Sequence, residues 1–122
     1  MTSVSKSWPY TVIYDPDAVV EFVTAVKSKD ERKAIFNAVD KLRELGERLP
    51  PPHMKPLRGE AAGLRELRPR RGSSDWRAPY RRYGSLYVVL AVDRHANFSA
   101  LVARAHARAA WYMGSPLNLD KP

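Results

Sequence analysis

Apolar side chains recur at Ile35, Val39, Leu42 and Leu45, every three or four residues, with Ala38 and Leu49 beside the stripe. That is the period of an amphipathic helix, and it predicts one across 28–50. Ser28 followed three residues later by Glu31 resembles a capping box, and Gly46 with Pro50 supplies the stop. The charged residues of this helix are nearly balanced in sign and read as a solvated face without chemistry. A second stripe, Val19, Phe22, Val23 and Val26, predicts a shorter helix over 17–26 behind the start signal 15-DPD-17. From Phe98 to Met113 an alanine-rich run aligns Leu101, Val102, Ala105, Ala109 and Tyr112 on one side of a third helix, closed by Gly114. Arg104 and Arg108 lie four apart on it, so they are expected to share an exposed face or to meet a partner chain.

Elsewhere the period drops to two. Residues 8–14, 64–69, 76–83 and 86–93 read as strands, with a loop around Gly72 and a tight turn at 83-YGSL-86. The run 86-LYVVLAV-92 is apolar nearly throughout, which marks a central strand covered on both faces. Pro79 has no N–H to give to a ladder, so its strand must carry a bulge or go unpaired on one side there. Four prolines and two glycines make 50–63 an extended link. The order strand-helix-helix-strand-strand-strand-helix predicts an α+β fold, its helices packed on a small antiparallel-rich sheet. At 122 residues, 1–122 is read as one domain with its core at about 8–113, and 115–122 as a loose tail.

Charge changes the picture. The net charge of +8 is concentrated between Lys55 and Arg108, where twelve basic residues, eleven of them arginine, meet four acidic ones. Arginine favours planar, two-toothed contact with phosphate, so a polyanionic partner is expected. The alternation divides this charge: Arg68 shares a face with Leu64 and Glu66, Arg65 falls on the other with Leu67, and Arg81 and Arg82 point to opposite sides. Cysteine is absent, which excludes disulfides, thiolate metal sites and a thiol nucleophile. Neither a signal-peptide core nor a membrane-length apolar run is present, so a cytoplasmic protein without membrane partners is expected. His53, His95 and His106 lack metal-ligand spacing, and no phosphate-cradling glycine motif or serine elbow occurs, so neither metal nor cofactor is expected. What remains is RNA chemistry. Cleavage at a 2′-hydroxyl needs a base, cations around the phosphate and an acid for the departing 5′-oxygen. Arginine meets the second need, and His95, beyond the central strand, is placed to move protons.

The segments 55-KPLRGEAAGLRELRP-69, 76-WRAPYRRYGSLYVVLAV-92 and 94-RHANFSALVARAHARAAWY-112, in this order, resemble the RelE/ParE superfamily of bacterial toxins, most of all its HigB-like, phage-derived branch. The resemblance covers residues 10 to 112. It implies a type II toxin that cuts mRNA on the ribosome without metal or cofactor, and an antitoxin protein that neutralises it in a hetero-oligomer. In that similarity Arg68 and Arg94 steady the scissile phosphate and His95 acts as acid or base. Lys55, Arg65, Arg77 and Arg81 hold RNA. Related nucleases carry a tyrosine or a lysine pair near the start of the last helix, where this chain has 93-DRHAN-97 and Phe98. The superfamily also contains a branch that poisons DNA gyrase without cutting RNA, so the alternative is a non-cleaving binding module or gyrase inhibitor.

Overall fold

The computed structural model describes residues 7–59 and 63–114, which leaves the expected loose tail at 115–122 outside the described residues. Six strands form an open sheet with three helices packed on it. In chain order they are β1 (Thr11–Tyr14), α1 (Pro16–Ala25), α2 (Lys29–Leu45), β2 (Met54–Pro56), β3 (Arg65–Leu67), β4 (Trp76–Tyr83), β5 (Leu86–Val89), β6 (Asp93–Arg94) and α3 (Phe98–Gly114). The sheet order is β1-β5-β4-β3-β2, with β6 paired to the start of β4; only β1 and β5 run parallel. β2 was not foreseen in the extended link. Its prolines are tolerated because it lies at the sheet edge, pairing with β3 alone.

Alternation along the strands builds two cores. On one face Met54, Leu67, Trp76, Ala78, Tyr80, Tyr87 and Val89 pack against Ile35, Val39 and Leu42 of α2 and Ala18 of α1. On the other, Leu64, Tyr83, Val88 and Leu90 pack against Leu101, Ala105 and Ala109 of α3. The central strand β5 is therefore covered on both faces, as its unbroken apolar run requires. The α1 stripe is only partly used. Ala18 and Val26 are buried and Phe22 half-buried, but Val19 and Val23 are 44% and 55% exposed, because α1 rests on the sheet along the neighbouring stripe.

Local signals bound α2 as expected, whereas Gly114, expected to close the third helix, is the last residue of α3. Ser28 Oγ accepts from the Glu31 N–H at 3.3 Å, one half of a capping box. The Glu31 carboxylate turns away to accept from Arg70 and Ser74. α2 stops at Gly46, whose φ of +55 and closeness to the Tyr10 ring, 2.7 Å from where a Cβ would stand, leave room for glycine alone.

Pro79 has the consequence anticipated for it. The β4–β5 ladder ends at Tyr80 opposite Val89, with one further bond from Leu90 N–H to the Pro79 carbonyl at 2.8 Å. Pairing resumes with Arg77 opposite Asp93 and Trp76 opposite Arg94, one residue out of the earlier register. This one-residue bulge reverses which way the second segment's side chains point. Asp93 joins the α3 face and Arg94 the α2 face.

Candidate functional site

α3 covers only part of its side of the sheet. Beside it, cross-strand pairing brings Lys55, Glu66 and Pro79 abreast on β2, β3 and β4. Arg68 follows two residues after Glu66 and Arg77 lies two before Pro79, so by alternation they share this face. Glu66 is the centre of the group and was not singled out from sequence. It is 2% exposed, and its Oε1 lies 3.2 Å from Arg77 Nε without the alignment of a hydrogen bond. Burial pushes the Glu66 carboxyl above its usual range, although the charges of Arg77, Arg68, His95 and Lys55 all pull it down. Burial likewise pushes the Arg77 guanidinium down, against the attraction of Glu66. One buried carboxylate thus faces four basic side chains.

These four differ in what they are free to do. Arg77 is 5% exposed and donates to the carbonyls of Ser74 at 2.5 Å, Trp76 at 2.8 Å and Gly72 at 3.2 Å. It braces the β3–β4 loop instead of facing solvent. Arg68 is half-buried, its guanidinium against Gly72, and its Nε makes no hydrogen bond among the described residues. Lys55 is exposed on the edge strand. His95 is exposed in a short helical turn that opens α3, and its backbone N–H is anchored on the Asp75 carbonyl at 2.6 Å. Asp93 fixes the same turn from the other side by accepting from Arg94 N–H, Asn97 and Arg104. Burial raises the Asp93 carboxyl, but those hydrogen bonds outweigh it and hold it below the usual range. Phe98 has its ring 5.8 Å from that of His95 and is 37% exposed.

The remaining predicted residues lie apart. Arg94 sits over the Trp76 ring at 5.0 Å, on the α2 side of the bulge. Arg65 is also on the α2 face, paired with Glu47, which receives Arg82 at 3.8 Å and the Tyr87 hydroxyl at 3.2 Å. Burial and the Glu47 charge push the Tyr87 hydroxyl up to about 12. Arg81 returns to the α3 face but lies over Tyr83 at 5.2 Å, farther along the strand. The face that gathers Lys55, Arg68 and His95 therefore does not gather Arg65 or Arg94.

This arrangement runs through the segment that a protein-family model recognises. The chain belongs to the phage-derived Gp49-like family (DUF891). The match spans residues 25–93, from the end of α1 to the first residue of β6, and includes Lys55, Glu66, Arg68 and Arg77. Proteins of the Gp49-like family are associated with the toxins of toxin–antitoxin systems. Arg94, His95 and α3 lie just past the matched segment of this Gp49-like chain. No curated protein matches the sequence. Among the described residues there is no cluster of three or more metal-ligating side chains and no helix long and apolar enough to cross a membrane.

Proposed function

We propose that this Gp49-like protein is the toxin of a type II toxin–antitoxin pair, of the RelE/HigB kind, and that it cuts mRNA on the ribosome. The observation that carries the reading is the surplus of basic side chains around the buried carboxylate of Glu66, with Lys55 and His95 exposed beside it. An RNA phosphate would supply the missing negative charge. In this scheme Arg68 and Lys55 hold the scissile phosphate and neutralise the charge that develops on it. The ribose 2′-oxygen attacks phosphorus, the bond to the 5′-oxygen breaks, and a 2′,3′-cyclic phosphate and a 5′-hydroxyl result. His95 passes the proton that one oxygen loses and the other gains. Arg77 and Glu66 keep the loop and Arg68 in place without touching the substrate. An antitoxin with an acidic amphipathic segment would silence the protein by covering the same face.

The test is to express the chain in bacteria and map RNA ends. Growth arrest with new cleavage ends inside translated messages is expected, and Arg68→Ala or His95→Ala should each lower cleavage about 100-fold while leaving the melting temperature unchanged. Arrest without new ends would defeat the nuclease reading. Phe98, in place of a proton-transfer group, favours the second reading, a non-cleaving inhibitor of DNA gyrase. Loss of gyrase supercoiling on addition of purified protein, with RNA left intact, selects it.

A further inference from the structure

Arg68 also lines a second concavity. A cleft of about 670 Å³ lies between α2 and the Pro69–Gly72 turn, where Lys33, Lys41, His53, Arg68 and Arg71 converge. Lys33, Asn37 and Lys41 follow one another at four-residue steps, so they form a single stripe along α2. Ala34 and Ala38 lie between them in the lining. The stripe spans about 12 Å at ~1.5 Å per residue. At ~3.4 Å per stacked nucleotide, that is room for three or four.

The opposite wall is built at a cost. Arg70 and Arg71 both have positive φ, 54 and 59, a conformation that disfavours side-chain-bearing residues by about 1 kcal/mol each. Both line the cleft, Arg70 while tied to Glu31 at 2.5 Å and to the Asp30 carbonyl at 3.2 Å. Burial and the positive charges of Lys41 and Arg71 push the His53 imidazole below its usual range, as a concentration of cations would. Asp30 is the one acid in the lining. The lining contains no large apolar side chain of the sort that anchors a protein partner. It offers cations and an amide, which is what a sugar-phosphate backbone needs.

We propose that this cleft is a second anion site, which takes the phosphates of an RNA strand as it runs past Arg68. The proposal rests on the RNA reading of the Arg68 and His95 face, but it is read out by binding and so fails separately from cleavage. The probe is a fluorescent RNA of about 12 nucleotides with 2′-O-methyl riboses, which cannot be cut, titrated between about 50 and 200 mM salt. Lys33→Glu/Lys41→Glu should bind it at least about tenfold more weakly, and the neutral pair Lys33→Gln/Lys41→Gln should lower the logarithmic salt slope by about 1.4. Both lysines are exposed, so the far-ultraviolet spectrum and melting temperature should stay as in the parent. Unchanged affinity and slope in both variants would overturn the proposal. So would weakened binding of a glutamate-rich peptide with RNA binding intact, which would assign the cleft to a protein. A chain that binds the probe through these lysines and cuts nothing would sustain the second site and defeat the nuclease reading alone.

Discussion

Glu21 and Glu66 each lie among two or more arginines, and they meet them differently. Glu21 on α1 accepts the Val92 N–H at 3.0 Å, Arg104 Nε at 2.9 Å, and Arg108 Nη1 and Nη2 at 3.1 and 2.8 Å. Arg104 continues to Asp93 at 3.0 Å and Arg108 to the Leu90 carbonyl at 2.8 Å. Burial pushes the Glu21 carboxyl up, but these bonds and the charges of Arg108 and Arg104 more than reverse it, and it lies below its usual range. At Glu66 the nearest guanidinium is misaligned, burial wins, and the carboxyl lies above its usual range. Arginine content alone therefore does not mark an interface. An arginine whose donors are consumed by well-aligned partners holds the fold together, whereas cations crowded around one ill-matched carboxylate leave room for another anion. Arg104 and Arg108, expected on an exposed face or against a partner chain, turn out to clamp α3 to α1.

The largest effect should come from dismantling the satisfied cluster. Glu21→Ala leaves two half-buried guanidiniums and a backbone N–H without their shared acceptor. A loss of about 4 kcal/mol in urea unfolding is expected, by analogy with broken buried ion pairs. A loss below about 1 kcal/mol would mean that the clamp behaves like an ordinary surface salt bridge.

Isosteric glutamines should separate the two carboxylates by the sign of their pH dependence. Glu21 has a lowered folded value, so its contribution is complete above its usual value of 4.5 and is lost as pH falls through the lowered one. Glu66 has a raised folded value. Between its usual 4.5 and that raised value the unfolded chain has released a proton that the native protein still holds, so stability falls as pH rises through the window. Glu21→Gln should cost about 2 kcal/mol at neutral pH and remove the loss on acidification. Glu66→Gln should cost less and remove the opposite slope. Unfolding midpoints taken from about pH 3 to 7 measure both. Slopes of the same sign would show that the clusters are alike.

Much of this contrast was legible in the chain and its decisive part was not. The two-residue period assigned Leu64 and Leu67 to opposite cores and divided Arg65 from Arg68, because strand geometry is local. Pro79 announced its bulge through its missing N–H. That the bulge would carry Arg94 away from His95 depends on where β6 rejoins β4, a long-range register that no local pattern fixes. Glu66 is the one acid in 64–83 ahead of Asp75, a visible signal, but its burial depends on β2, a strand hidden among prolines. Glu21 and Arg108 stand 87 positions apart, so no helical or strand spacing joins them.

The smallest expected effect tests how far the satisfied region extends. Tyr112, in the last turns of α3, donates to Asp15 Oδ2 at 2.9 Å, and Asp15 caps α1 by accepting from the Asp17 N–H at 2.8 Å. Burial and the Asp15 carboxylate together raise the Tyr112 hydroxyl, so it stays protonated and donating across the ordinary range. Tyr112→Phe keeps the ring against Tyr83 and removes one bond from a carboxylate that retains its cap, so the loss should be about 1 kcal/mol. Combined with Glu21→Ala, the two losses should fall short of additivity, because both changes release α3 from the same helix. Strict additivity would mean that each bond holds its own end of α3 independently, and that the clamp at Glu21 stops short of Tyr112.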